Sequence, residues 1–191
     1  MKRIAVLFAT GFEEIEAITV VDVLRRAGFT CDMVSVMDAQ EVRGTHDVLV
    51  RTDKMFDETL IDYDMLVLPG GMPGAEILRD DARVIALVQR FAQESSKYLA
   101  AICAAPMVLA TAGVIKNKRL TSYPDTEFQR QFAAANYLDE LVVVDDNMIT
   151  SRGPATTLLF AYTLVEVLQG DSAALRAAML YDLVVANTPS E

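Results

Sequence analysis

Short, unbroken apolar runs set the layout of this chain. Arg3-Ile-Ala-Val-Leu-Phe8, Asp64-Met-Leu-Val-Leu68 and Tyr98-Leu-Ala-Ala-Ile102 each stop abruptly at small residues, glycine or proline, and a stretch with helical spacing follows. A strand that is apolar on both sides has to be covered on both sides. Repeated strand–helix alternation of this kind predicts an α/β fold: a three-layer sandwich whose central sheet is mostly parallel, with helices on both faces.

The remaining elements follow from punctuation and period. Thr10-Gly11 ends the first strand, and Glu13 to Arg26 has helical spacing with Ile15, Ile18, Val21 and Leu24 facing inward. Arg25, Arg26 and Gly28 stop that helix. Thr30 to Val36 reads as a second strand, and residues 41–50 as an excursion or hairpin around Gly44. A helical segment from Ala75 breaks at Asp80-Asp81 and runs to Gln93. Pro106 opens a short helix, Leu120 to Ser122 reads as a minor strand, and Thr126 to Ala135 as a short helix. Leu141 to Val144 and Met148 to Thr150 flank a turn at Asp146-Asn147. Gly153-Pro154 opens an apolar helix to about Leu168, Asp171 to Met179 forms the last helix, and the tail from Asn187 is loose.

At 191 residues the chain is long enough for one substantial core, which predicts a single domain over residues 1–191. The net charge of −10 argues against nucleic acid or an anionic membrane as a partner. No apolar run reaches the roughly 20 residues that span a bilayer, and no basic leader precedes one, so a cytoplasmic location is expected. Two distant cysteines, Cys31 and Cys103, make no disulfide scaffold and fit a reducing compartment. The single histidine, His46, excludes a multi-histidine metal site, so no metal is expected. No Gly-x-Gly-x-x-Gly follows the first strand and no Walker sequence occurs, so no cofactor is expected.

In a parallel α/β sheet, ligands gather at the carboxyl ends of the strands. Three unusual segments fall there: Gly11 to Glu16, Pro69 to Gly74 and Cys103 to Pro106. Cys103 sits at a strand–turn–helix junction that lifts a side chain from the sheet beside helix N-terminal amides, a setting that favours thiolate. Cys31, inside an ordinary strand, reads as packing. Gly70 and Gly71 bring backbone close to a ligand and, with the amide of Ala104, form an oxyanion pocket; the plain alternative is a tight turn. Glu16 lies at the apolar boundary, where burial raises a carboxyl pKa and fits it for proton transfer with the thiol. His46, Tyr123, Arg152 and Pro154 are accessory candidates, each with an ordinary reading as loop, core cover or structured turn. Arg26, with Arg25, complements its helix C-terminus.

Four segments carry a resemblance: Gly11-Phe-Glu-Glu-Ile-Glu-Ala17, Leu68-Pro-Gly-Gly-Met-Pro-Gly-Ala75, Ala100-Ala-Ile-Cys-Ala-Ala-Pro106 and Thr150-Ser-Arg-Gly-Pro-Ala155. In type and order they resemble the ThiJ/PfpI family of the class I glutamine amidotransferase-like superfamily, in its small members. The resemblance implies a flavodoxin-like sandwich and a homodimer. It implies that Cys103 is the elbow cysteine, Glu16 its carboxylate partner, Gly70 and Gly71 the backbone pocket, and Arg26 an arginine near the pocket and dimer contact. The family often has a histidine before proline where this chain has Tyr123, so the motif supplies no Cys–His dyad. The implied activity is cofactor-free glyoxalase or deglycase chemistry on reactive aldehydes such as methylglyoxal or their glycated adducts. The implied alternative is a redox-sensing or chaperone-like stress dimer. Thiamine-precursor synthesis and cysteine proteolysis are weaker implications.

Overall fold

A computed structural model describes residues 2–187. The chain runs through β1 (Arg3–Phe8), α1 (Glu14–Arg26), β2 (Thr30–Ser35), β3 (Glu41–Arg43), β4 (Leu49–Arg51), β5 (Lys54–Met55), a 3-10 turn (Glu58–Asp62) and β6 (Met65–Leu68). It continues through α2 (Gly74–Asp80), α3 (Ala82–Gln93), β7 (Tyr98–Ile102), α4 (Pro106–Thr111), β8 (Arg119–Leu120), α5 (Thr126–Arg130) and β9 (Asn136–Tyr137). After β10 (Val142–Asp145) and β11 (Met148–Ser151), a 3-10 turn at Pro154–Thr156 leads into α6 (Thr157–Val167), α7 (Ser172–Ala178) and α8 (Tyr181–Asn187).

Seven strands form the central sheet in the order β10-β11-β7-β6-β1-β2-β5. Every pairing is parallel except that of β10 with β11. This is the three-layer, flavodoxin-like sandwich. The period-two pleat sorts each apolar run between two cores. Ala5, Leu7, Leu66, Leu68, Leu99 and Ala101 face the layer of α2, α3 and α4. Ile4, Val6, Phe8, Met65, Val67 and Ala100 face α1 and α6. Among the described residues no helix is long and apolar enough to cross a membrane.

The structure corrects four expectations. In α1, Val21 and Leu24 are buried as expected, but Ile15 and Ile18 are 53% and 40% exposed, while Glu16, Ala17, Val20 and Val23 are buried. The inward face is rotated from the one apolarity alone selects, because this helix buries carboxylates at its start. The helix expected over Thr126 to Ala135 stops at Arg130, and the minor strand ends at Leu120. Asp171 to Met179 is not the last helix: Leu180, at φ +61°, breaks the chain and α8 follows. Its buried side is empty, so no inward apolar period marked it. The expected loose tail lies, beyond Asn187, outside the described residues. Residues 41–50 do form a hairpin, β3 against β4.

Candidate functional site

The chain places β2 on one side of β1 and then returns to place β6 on the other. The strand order reverses at β1, and a crevice opens at such a point. The loops after β1 and β6 fill its walls and interlock. The Glu13 amide donates to Gly70 O (2.9 Å), and the Gly74 amide to Gly11 O (3.3 Å). Gly71, at φ +87°, lies so close that a Cβ there would sit 2.3 Å from Glu13 N. Glycine is therefore required at this position by contact as well as by backbone angle.

Cys103 follows β7 directly. It takes a left-handed backbone (φ +62°), uncommon for a residue with a Cβ, between a strand and the Pro106-headed α4. Its amide donates to Ser151 O (3.0 Å) and its carbonyl accepts from the Tyr123 amide (2.9 Å). The elbow is thus held from both sides while Cys103 stays half-buried at the carboxyl end of the sheet. The amides of Ala104 and Gly71 favour the ionised form of its sulfur.

Glu16 reaches the same point from α1. The Glu13 side chain caps the helix by accepting from the Glu16 amide (2.8 Å), which fixes the first turn. The Glu16 side chain is almost wholly buried. Its Oε2 accepts from the Gly70 amide at 2.8 Å, and the carboxyl lies beside the Cys103 thiol, where each group shifts the other's proton affinity. Oε1 is buried without a hydrogen-bond partner among the described residues. Burial lifts the Glu16 pKa to about 7; the bonds to Cys103 and Gly70 pull the other way, and the charge of Glu13 adds to the rise.

Two sequence expectations change here. The Gly70 amide is engaged by Glu16, so the backbone donors at the sulfur are Gly71 and Ala104, not the glycine pair. The elbow alone does not favour thiolate: burial first, then the charge and hydrogen bond of Glu16, push the Cys103 thiol up against the pull of the two amides. An ionised Glu16 therefore disfavours a thiolate beside it. With a proton on Glu16, the repulsion at sulfur vanishes and an acid O–H faces the thiolate. Cys31 behaves as packing: it is buried, and burial pushes it up to about 12.

The accessory candidates divide. Tyr123, Arg152 and Pro154 line one groove of about 320 Å³ with Pro124 and Leu141, adjoining the elbow through the Tyr123–Cys103 backbone bond. Arg152 is ion-paired with Asp139. Arg26 is not brought to the sulfur within the chain. It pairs with Asp22 at 2.7 Å, ten residues and about 15 Å of helix beyond Glu16. His46 sits on the β3–β4 turn, with Nδ1 2.8 Å from Glu14 Oε2 and 4.0 Å from Glu13 Oε1. Burial would raise the Glu14 pKa, but the ring and backbone bonds from His46 carry it below the usual range. The sequence offers Glu13, Glu14 and Glu16 alike as carboxylates near the thiol; only the return of the hairpin onto α1 shows the first two meeting a histidine.

Flavodoxin-like sandwiches that raise a cysteine from the sheet in this way form one class of α/β proteins, and the chain is of that class. Residues 2–167 match the DJ-1/PfpI family, and the chain belongs to it. Protein dj-1beta of Drosophila melanogaster is 39% identical over 170 residues, 88% of this chain and 90% of that protein. The "glutathione-independent glyoxalase DJ-1" of Schizosaccharomyces pombe is 30% identical over 174 residues, 87% of this chain and 91% of that protein. A crystal structure of a cysteine-to-alanine mutant of a DJ-1 superfamily protein from Salmonella typhimurium superposes with a TM-score of 0.87. That pair is 32% identical, covering 95% of this chain and 98% of the other.

Proposed function

We propose that the protein is a cysteine-dependent, cofactor-free enzyme acting on reactive aldehydes such as methylglyoxal or on their early adducts. The observation that carries this reading is a buried Glu16 carboxyl, its pKa lifted to about 7, beside the half-buried Cys103 thiol. Such a carboxyl gives and takes protons at neutral pH.

The chemistry follows from the pair. Cys103 thiolate attacks the aldehyde carbon; a carbon–sulfur bond forms and the carbonyl electron pair moves to oxygen. The amides of Gly71 and Ala104 stabilise that oxyanion until Glu16 protonates it, giving a hemithioacetal. Glu16, now ionised, removes the proton from the former aldehyde carbon and returns it to the neighbouring carbon, while the hemithioacetal hydroxyl proton passes to the neighbouring carbonyl oxygen. The product is a 2-hydroxy thioester. Water cleaves it, releasing the hydroxy acid and the thiol. The net change is aldehyde plus water, with no external oxidant or reductant. Lactate formation from methylglyoxal by the purified protein tests this. Turnover lost in Cys103→Ser supports it, and turnover retained in that variant overturns it.

A second reading uses the same atoms. A sulfinic acid at Cys103 would meet the Gly71 and Ala104 amides and a protonated Glu16, so peroxide sensing is favoured if aldehyde turnover is absent. Proteolysis has less support, because the ring Nδ1 of His46 is paired with Glu14 and Tyr123 stands where a base is needed. Two free cysteines suit a reducing, cytoplasmic setting. A homodimer is supported by the apolar surface where Ile15 of α1 meets Pro154, Ala155 and Leu158.

A further inference from the structure

We propose that the groove between Tyr123 and Arg152, beside the Cys103 elbow, is a binding subsite for a carboxylate. The aldehydes taken at the thiol are then 2-oxoaldehydes that carry an acid group a few carbons from the carbonyl. This deepens the aldehyde reading and rests on it for the chemistry, while the binding stands on the groove itself. The groove, of about 320 Å³, has Tyr123, Pro124, Leu141, Arg152 and Pro154 in its walls. Two backbone bonds join it to the elbow. The Tyr123 amide donates to Cys103 O (2.9 Å), and the Cys103 amide donates to the carbonyl of Ser151, the residue before Arg152 (3.0 Å). A group bound between Tyr123 and Arg152 therefore lies beside the backbone that carries the sulfur.

Charge selects the ligand. Arg152 is the one charged residue among the described residues of the lining, in a chain whose net charge is −10. A single cation in an otherwise apolar groove complements a short carbon chain with one anionic end. The Arg152 side chain is 19% exposed, so its charge is largely withdrawn from water. Its partner Asp139 is 84% exposed and engages Nη1. Among the described residues the guanidinium has no other ion pair. A pair with an exposed acid is weak. The planar fork keeps donors for a second carboxylate.

The walls are held in place. Ser151 Oγ donates to Leu141 O (2.8 Å) and lies 2.7 Å from Thr156 Oγ1, which fixes the chain on both sides of Arg152. Thr156 Oγ1 donates to Gly153 O (2.9 Å), so that hydroxyl is engaged within the turn. The Tyr123 ring rests by Gly153, where a Cβ would lie 3.7 Å from Tyr123 Cδ2. Pro154 and Ala155 are shared with the apolar surface of α1, so recognition rests on Tyr123, Leu141 and Arg152.

The test applies two probes to the full chain. Levulinate carries the carboxylate and a ketone but no aldehyde, so it binds without turning over. Its protection of Cys103 against iodoacetamide is read by intact mass, with the neutral methyl propyl ketone as control. The second probe, 4,5-dioxovalerate, carries the aldehyde; with water it gives 2-hydroxyglutarate by the steps above, and its kcat/KM is compared with that of methylglyoxal. The expected result is saturable protection by levulinate and none by the neutral ketone, weakened about tenfold or more in Arg152→Gln. Arg152→Lys, which keeps the charge and loses the fork, recovers it in part. Asp139→Asn, at an exposed position, removes the competing carboxylate and tightens protection. In turnover the wild type prefers 4,5-dioxovalerate, and Arg152→Gln lowers that preference about tenfold or more. An unchanged circular dichroism spectrum shows that each variant is folded. No saturable protection, equal protection by the neutral ketone, wild-type protection in Arg152→Gln, or weaker protection in Asp139→Asn overturns the proposal. Methylglyoxal turnover without protection removes the subsite and leaves the aldehyde reading; protection without turnover of either aldehyde does the reverse.

Discussion

Glu16 and Cys103 converge on Gly70: Glu16 Oε2 accepts from the Gly70 amide at 2.8 Å, and a Cβ on Gly70 would lie 2.6 Å from Glu16 Oε2 and 2.7 Å from Cys103 Cβ. Burial gives both residues an unusual acidity, and four measurements follow from the fold around them.

Glu16 makes the protein less stable as pH rises. Its folded pKa of about 7 lies above the ordinary 4.5, so the folded state binds the proton more tightly than the unfolded one. That stability is fully present below pH 4.5 and is lost as pH climbs through about 7. A shift of this size corresponds to about 3 kcal/mol. Glu16→Gln keeps the hydrogen bond from Gly70 and carries no charge. Denaturant unfolding should show Glu16→Gln stabilised by about 1–3 kcal/mol at pH 8, with much less gain at pH 4.5. An equal effect at both pH values contradicts the assignment.

Thiol reactivity should separate the two cysteines. Cys103 is half-buried whereas Cys31 is buried, and since both thiols are pushed up, access decides which one reacts. Intact-mass analysis after brief alkylation of the native protein should show a single adduct, at Cys103. Cys31 should react only after denaturation.

The glycines should rank by contact. Gly71→Ala puts a Cβ 2.3 Å from Glu13 N, against backbone that cannot yield cheaply. Gly28 has a similar positive φ, +82°, but nothing lies within 4 Å of a Cβ there. Thermal unfolding should show Gly28→Ala losing about 1–2 kcal/mol from backbone angle alone. Gly71→Ala should lose more. Gly70→Ala drives a Cβ to 2.6 Å from Glu16 Oε2 and 2.7 Å from Cys103 Cβ, so activity should fall further than stability does.

The exposed apolar side of α1 should govern assembly. Ile15 and Ile18 contribute little to the fold at 53% and 40% exposure. Ile15→Glu combined with Ile18→Lys should leave chemical stability within about 1 kcal/mol. By sedimentation the same variant should shift from dimer to monomer. An unchanged sedimentation profile argues for another interface.

The two helices that bound the elbow region show how differently local signals read. Pro106 marked the start of α4 correctly because proline at a first helical position is a local preference. Asp80-Asp81 marked the break between α2 and α3 for the same kind of reason: Asp81 caps α3 by accepting from the Arg83 amide. The phase of α1 was misjudged because apolarity was taken as the guide, and the residues this helix buries at its start are Glu14 and Glu16. β5 and β9, two residues each, are too short to carry a period.

Sequence alone determined the sandwich and the elbow and singled out the thiol proposed to react, because strand period, helix stops and glycine punctuation act within a few residues of each other. It also marked Glu16 as the acid to watch. Tertiary structure decided the rest. Glu16 meets the Gly70 amide 54 positions away, and His46 meets Glu14 32 positions away. Those meetings depend on how three loops close over the ends of the sheet, and proton affinity depends on the burial that closure creates. No local pattern encodes that burial, so which amide serves which atom, and how tightly Glu16 holds its proton, belongs to the folded molecule.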